Sequence, residues 1–143
     1  MSNRVLLDQC QRRLLVTWLV GLAPSVLLMV LRNLAGSFSG SERDVWAWFI
    51  PMFLPTLTLM IGAYSSIAFK EQTDSITVDK PFFYISLSCS AFYLTILLSV
   101  ILYQPFADQP ALEFFAQSSL FLSAIQGIAT GCMGVFFVSQ KQR

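Results

Sequence analysis

The amino-acid sequence predicts an all-α integral membrane protein, and three observations support this class. Four long stretches without a charged residue divide the chain, and a helix needs about 20 such residues to cross ~30 Å of hydrocarbon. Hydrophobic residues make up 55% of the chain and charged residues only 12%, whereas soluble proteins carry roughly 25% charged residues. The stretches also lack the polar–apolar alternation of membrane β-strands. We therefore expect a compact bundle of four transmembrane helices with short loops.

The uncharged stretches also place the helices along the chain. The whole chain, residues 1–143, is expected to form a single membrane domain, and residues 1–13 a cytoplasmic segment ahead of the first helix. Residues 36–40, which contain two glycines and two serines, predict a flexible turn after the first helix. The four helices are predicted over about residues 14–35, 42–69, 81–103 and 110–138.

Local signals mark where the second helix begins and bends. Ser41 followed by Glu42 and Asp44 predicts a capping box, because hydroxyl and carboxylate oxygens can accept hydrogen bonds from the first backbone amides. Pro51 and Pro55 each remove one backbone hydrogen bond, which predicts a kink in the same helix. Neighbouring helices must then satisfy the carbonyl groups that the prolines leave unpaired.

Lysine and arginine residues are distributed unequally between the two predicted sides of the membrane. Seven lie on the side of the N terminus and two on the other, which predicts that both termini are cytoplasmic. We expect the membrane to be the bacterial inner (plasma) membrane. Trp18, near the inner end of the first helix, is expected in the headgroup layer. The seven are Arg4, Arg12, Arg13, Lys70, Lys80, Lys141 and Arg143, and the two are Arg32 and Arg43.

A stripe of small and polar residues follows one side of the fourth predicted helix. Such residues let membrane helices approach closely, so the stripe predicts packing among the four helices or, alternatively, an oligomer interface or the lining of a pore. Gln126 falls near the middle of this helix, and its amide must face protein or water because leaving it unpaired in hydrocarbon is costly. The stripe consists of Ser119, Ser123, Gln126, Gly127, Thr130, Gly131 and Gly134.

A second candidate site is a charged cluster at the predicted outer surface. Arg32 closes the first helix, and Glu42, Arg43 and Asp44 open the second. These residues are typical of anchoring and capping, since an arginine at a helix end can reach the headgroup layer or pair with a carboxylate. The alternative interpretation is a site for a membrane enzyme or a lipid-handling protein.

The residue inventory limits the functions that the sequence supports. The chain contains no histidine, and it shows no metal-ligand cluster, phosphate-binding loop or recognisable nucleophile–base pair. We therefore predict no catalytic residue, cofactor or metal. The net charge of +1 without a clustered basic face also predicts no nucleic-acid partner.

Three functional hypotheses follow from these observations. The first is a non-enzymatic membrane subunit, embedded in the lipid bilayer, that acts by oligomerising with itself or by assembling with partner membrane proteins. The alternative is an oligomeric pore, channel or membrane-permeabilising effector lined by the polar side of the fourth helix. A small membrane enzyme or lipid-handling protein is the second alternative.

Overall fold

The structure is a computed structural model that describes residues 4–68 and 77–138. Helices account for 86% of it, which confirms the all-α class. Residue 69, the predicted end of the second helix, lies outside the described residues, as do Lys70, Lys141 and Arg143 of the charge count. The helices are α1 (Leu7–Leu34), α2 (Glu42–Phe49), α3 (Leu54–Ala68), α4 (Lys80–Tyr103) and α5 (Ala111–Val138), with 3-10 turns at Ile50–Met52 and Gln104–Phe106.

Two helices in the described part of the chain are long and apolar enough to cross a membrane. They are α1, and α4 together with the 3-10 turn that follows it. The α2–α3 pair becomes a third candidate span if its two bent halves are taken as one. The chain is therefore compatible with membrane integration through two or three spans.

The first helix begins at Leu7 rather than at residue 14, so much of the predicted N-terminal segment is helical. A short antiparallel ladder, absent from the sequence prediction, precedes it. Strand β1 (Arg4–Leu6) pairs with strand β2 (Thr77–Asp79), with Val5 opposite Val78. Because α1 follows β1 and α4 follows β2, the ladder holds the first turns of both helices side by side.

The core lies along the seam between α1 and α4. Each helix buries one residue every three or four positions, the spacing that places side chains on one face of a helix. Trp18 and Tyr93 stack at the middle of this seam with ring centroids 5.7 Å apart, and both side chains are fully buried. Trp18 therefore packs inside the protein rather than facing the headgroup layer, because Tyr93 supplies an aromatic surface for its ring.

The contacts between helices define their relative directions. Arg13 and Phe83 line one groove near the starts of α1 and α4, and Arg32 meets Ile101 near their ends, so these two helices run parallel. Trp48 of α2 stacks on Phe115 near the start of α5, and further along the chain Thr56 of α3 meets Thr130 of α5. The α2–α3 pair therefore runs parallel to α5. Helices α3 and α4 each pack against both α1 and α5.

The turn between α1 and α2 is anchored by a buried aromatic side chain. Gly36 and Gly40 adopt positive φ angles of 75° and 87°, which glycine reaches without the steric cost that a Cβ atom imposes. Between them, Phe38 is buried and packs edge-on against Phe115 with ring centroids 6.3 Å apart. The glycines thus allow the chain to reverse while Phe38 fixes the turn to the helices.

The predicted capping box ahead of α2 does not form. Ser41 is the residue that precedes the helix, but its side chain makes no hydrogen bond to the first backbone amides. Its hydroxyl donates instead to the carbonyl oxygen of Phe38 at 3.2 Å. The buried Phe38 brings that acceptor within reach, so the hydroxyl closes the turn and leaves the start of the helix uncapped.

Candidate functional site

The second predicted helix is broken at its two prolines, as their positions predicted. The α2–α3 pair bends by 43° at a break formed by the 3-10 turn and Phe53. In a continuous α-helix, the amide of residue 55 would pair with the carbonyl of residue 51, but proline has no amide hydrogen. The carbonyl of Pro51 therefore loses its normal donor at the break.

Gln126 supplies a donor to this unpaired carbonyl. Its side-chain amide, on α5, donates to the carbonyl oxygen of Pro51 at 3.2 Å. The contact is an interhelical hydrogen bond of the kind that lets membrane helices tolerate proline. The most conspicuous polar residue of the predicted stripe thus packs one helix against another within the monomer.

Two further contacts hold the same break. The Tyr93 hydroxyl of α4 donates to the carbonyl oxygen of Met52 at 2.5 Å, and both residues are buried. The hydroxyls of Thr56 and Thr130 lie 3.0 Å apart and link α3 to α5. The break is therefore bonded to α4 and to α5, and we call the set of Tyr93, Gln126 and Thr130 the latch.

Arg32 makes the same kind of contact at another proline. Its guanidinium donates to the carbonyl oxygen of Ile101 at 3.2 Å, and Pro105 cannot provide the backbone donor that an α-helix would place there. A second nitrogen of Arg32 donates to the side-chain oxygen of Gln104, which is buried. The guanidinium carbon also lies 5.1 Å from the centre of the Phe38 ring, within the range of a cation–π contact.

The rest of the predicted outer charged cluster lies apart from these contacts of Arg32. Glu42, Arg43 and Asp44 are exposed on the first turn of α2, where carboxylates favour the positive end of the helix dipole. The partners of Arg32 are a glutamine, a backbone carbonyl and an aromatic ring. This arrangement stabilises the end of α4 and offers hydrogen bonds, but it presents no nucleophile beside a base.

The residues of the predicted stripe on α5 have different surroundings. Gln126 and Thr130 face α3 through the contacts described above. Ser119 is half-buried and returns its hydroxyl to the carbonyl of Ala116 in its own helix at 2.6 Å. Ser123, Gly127 and Gly131 are exposed on the outside of the bundle.

The glycines of α5 make no close contact with another helix in the described part of the chain. A Cβ atom added at Gly127, Gly131 or Gly134 would meet nothing within 4 Å. At Gly21 on α1, by contrast, it would come within 2.8 Å of Leu94 Cδ1. Gly21 therefore leaves room for the Leu94 side chain of α4, whereas the GxxxG step of α5 is open among the described residues. We call Ser123, Gly127 and Gly131 the open face of α5.

Sequence reasoning missed several residues that hold the site. Tyr93 carried a usable signal, because a tyrosine in the middle of an apolar helix needs a partner for its hydroxyl. Thr56 and Gln104 had no comparable signal, since a threonine or glutamine near a helix end is common at a membrane surface.

The described residues suggest no site for a metal, and comparisons give no family. Within residues 4–68 and 77–138, no three cysteine, aspartate or glutamate side chains come together as metal ligands would. Comparison with protein-family models, curated proteins and solved structures finds no significant match to this chain.

Proposed function

We propose that this chain is a non-enzymatic membrane subunit that spans the bilayer four times and acts by assembling through the open face of α5. The observation that carries the proposal is the empty space outside Gly127 and Gly131. In lipid, helices associate through small residues that let their backbones approach, and a GxxxG step provides such a surface. The partner is a second copy of this chain or another membrane protein.

The topology proposed with this function has both termini in the cytoplasm of a bacterium and the chain in its inner membrane. The excess of lysine and arginine at the N-terminal side supports this orientation. The parallel directions of α1 with α4, and of α2–α3 with α5, are those of helices that cross the bilayer alternately. The polar residues of α5 that face α3 support burial of this helix in the same bundle.

The experiment compares the native mass of the purified chain with that of two α5 variants in mild detergent. Gly127→Leu and Gly131→Leu each place a large side chain in the open face, and we expect either to dissociate the assembly. Gly62→Leu is the matched control, because Gly62 on α3 is also exposed and has nothing within 4 Å of its Cβ position. Survival of the assembly in both α5 variants, or its loss in the control, would contradict the proposed face.

A pore lined by Ser119, Ser123, Gln126 and Thr130 is the less favoured proposal. The hydrogen bonds that Gln126 and Thr130 make to α3 support packing as the role of those two side chains. Flux through reconstituted vesicles that is abolished by Gln126→Leu, while assembly is retained, would favour the pore instead. An enzyme or lipid-handling site at the outer charged cluster (Arg32, Glu42, Arg43 and Asp44) would require an activity that disappears in Asp44→Asn.

A further inference from the structure

A surface groove follows the seam between α1 and α4 from the N-terminal end of both helices. Its three sections are continuous because neighbouring sections share lining residues. Arg12 and Arg13 line both the first section and the second, and Val16 and Thr17 line both the second and the third. The volumes of the three sections are about 300, 410 and 430 Å³ in that order.

The entrance of the groove is polar and positively charged. Its first section is lined by Gln9, Arg12 and Arg13, all of which are exposed. Among the described residues, none that lines the three sections is acidic. The two arginines precede the uncharged stretch of α1 directly, so in a membrane they lie at the depth of the lipid headgroups. The entrance therefore suits an anionic group.

The body of the groove is apolar. Beyond the arginines it runs over Phe83 and Leu87, with the half-exposed ring of Tyr84 at the edge, and then over Ala91 and Leu98. Apart from Tyr84, the polar side chains that the described residues contribute to this part are threonines that donate to carbonyls of their own helices. The body of the groove therefore suits an apolar ligand.

The groove is also long enough for a lipid chain. At 1.5 Å per residue, the stretch of α4 from Phe83 to Leu98 is about 22 Å long. One leaflet of the hydrocarbon core is about 15 Å thick. An acyl chain whose headgroup lies at the arginines can therefore follow about two thirds of this stretch, past Ala91, within its own leaflet.

We infer that this groove binds one anionic phospholipid, with its phosphate at Arg12 and Arg13 and one acyl chain along the seam of α1 and α4. The combination of a basic entrance and an apolar body matches an amphiphile with a negatively charged head. The inference concerns a different surface from the open face of α5 and does not depend on assembly.

The test measures lipid bound to the full-length chain by native mass spectrometry. Phosphatidylglycerol and phosphatidylcholine with identical acyl chains are added to the protein in a non-ionic detergent. With two arginines at the entrance, we expect wild type to prefer phosphatidylglycerol roughly thirtyfold, equivalent to about 2 kcal/mol. Arg12→Gln combined with Arg13→Gln should reduce this preference to about threefold or less. Arg43→Gln, at the exposed start of α2, is the charge-matched control and should leave it unchanged.

A second variant tests the body of the groove. Ala91 is exposed, so Ala91→Trp fills the groove without disturbing the core, and it should lower retention of both lipids at least tenfold. Retention of both lipids as in wild type by this variant would overturn the proposed path of the acyl chain. Gly127→Leu should bind lipid as wild type does, which separates this inference from the proposed assembly.

Three other results would also overturn the inference. An unchanged preference in the double arginine variant would remove the headgroup site. Displacement of phosphatidylglycerol by an equal concentration of glycerol 3-phosphate would mean that the entrance binds the phosphate group alone and that the acyl chains do not contribute to binding. A dimer that excludes both lipids and dissociates in Ala91→Trp would assign the groove to a second copy of the chain.

Discussion

Removing one hydroxyl from the latch tests whether interhelical hydrogen bonds hold the proline break. Tyr93→Phe keeps the ring stacked on Trp18 and deletes only the donor to the Met52 carbonyl. The carbonyl then has no partner from α4 and lies in a buried position, since Met52 is only 6% exposed. The substitution therefore isolates one hydrogen bond with little change in packing.

The expected cost follows from the burial of the two partners. A net intramolecular hydrogen bond contributes about 0.5–1.5 kcal/mol, and interhelical bonds in membranes average about 0.6 with a maximum near 1.7. Because Tyr93 is fully buried, Tyr93→Phe should lower the free energy of unfolding by about 1–1.5 kcal/mol. Gln126→Leu should cost less, about 0.5 kcal/mol, because Gln126 is half-buried and Pro51 is exposed.

The assay is equilibrium unfolding in mixed micelles of a non-ionic detergent and SDS, followed by tryptophan fluorescence. Tyr103→Phe is the control, because the Tyr103 side chain is 62% exposed and its hydroxyl can reach water or headgroups. The variant that combines Tyr93→Phe with Gln126→Leu tests whether the adjacent carbonyls of Met52 and Pro51 act as one unit. We expect a coupling free energy of at least about 0.5 kcal/mol between the two substitutions. A Tyr93→Phe protein within about 0.3 kcal/mol of wild type would refute the role assigned to the hydroxyl.

Two further substitutions probe other contacts in the same unfolding assay. Gly21→Leu should destabilise by about 1–3 kcal/mol, because its Cβ comes within 2.8 Å of Cδ1 of Leu94, a buried side chain that must shift to make room, whereas Gly62→Leu should be near neutral. Equal effects of the two would show that the approach at Gly21 is not tight. Arg32→Met should cost about 1.5 kcal/mol through lost bonds to Gln104 and the Ile101 carbonyl, and Gln104→Leu should add less in that background than alone. Strict additivity would mean that the two side chains act independently.

Much of the helical framework was predictable from the sequence because lipid imposes a simple rule. Backbone groups must be paired within a helix, so long uncharged stretches become helices wherever they occur. Helices α4 and α5 cover the ranges expected of the third and fourth stretches. The bend at Pro51 and Pro55 was predictable for the same reason, since a missing amide is a local property.

The short ladder before α1 and the uncapped start of α2 were not predictable. Strand β1 has only three residues, and its partner β2 is far away in the sequence, so no local pattern marks the pair. Serine is a common helix-capping residue, but the carbonyl of the buried Phe38 in the preceding turn competes for the hydroxyl of Ser41. Both outcomes depend on residues that meet only after the helices pack.

The sequence alone determined that Gln126 needs a partner and that the α5 stripe shares one side of a helix. It could not determine which partner, because helical periodicity fixes the direction of a side chain but not what lies opposite. Only the tertiary structure decided that Gln126 meets the carbonyl freed by Pro55, and that Gly21 is packed while Gly127 is open. The physical reason is that pairing between helices is set by the packing of large buried side chains such as Trp18 and Tyr93, and the small residues take the positions left to them.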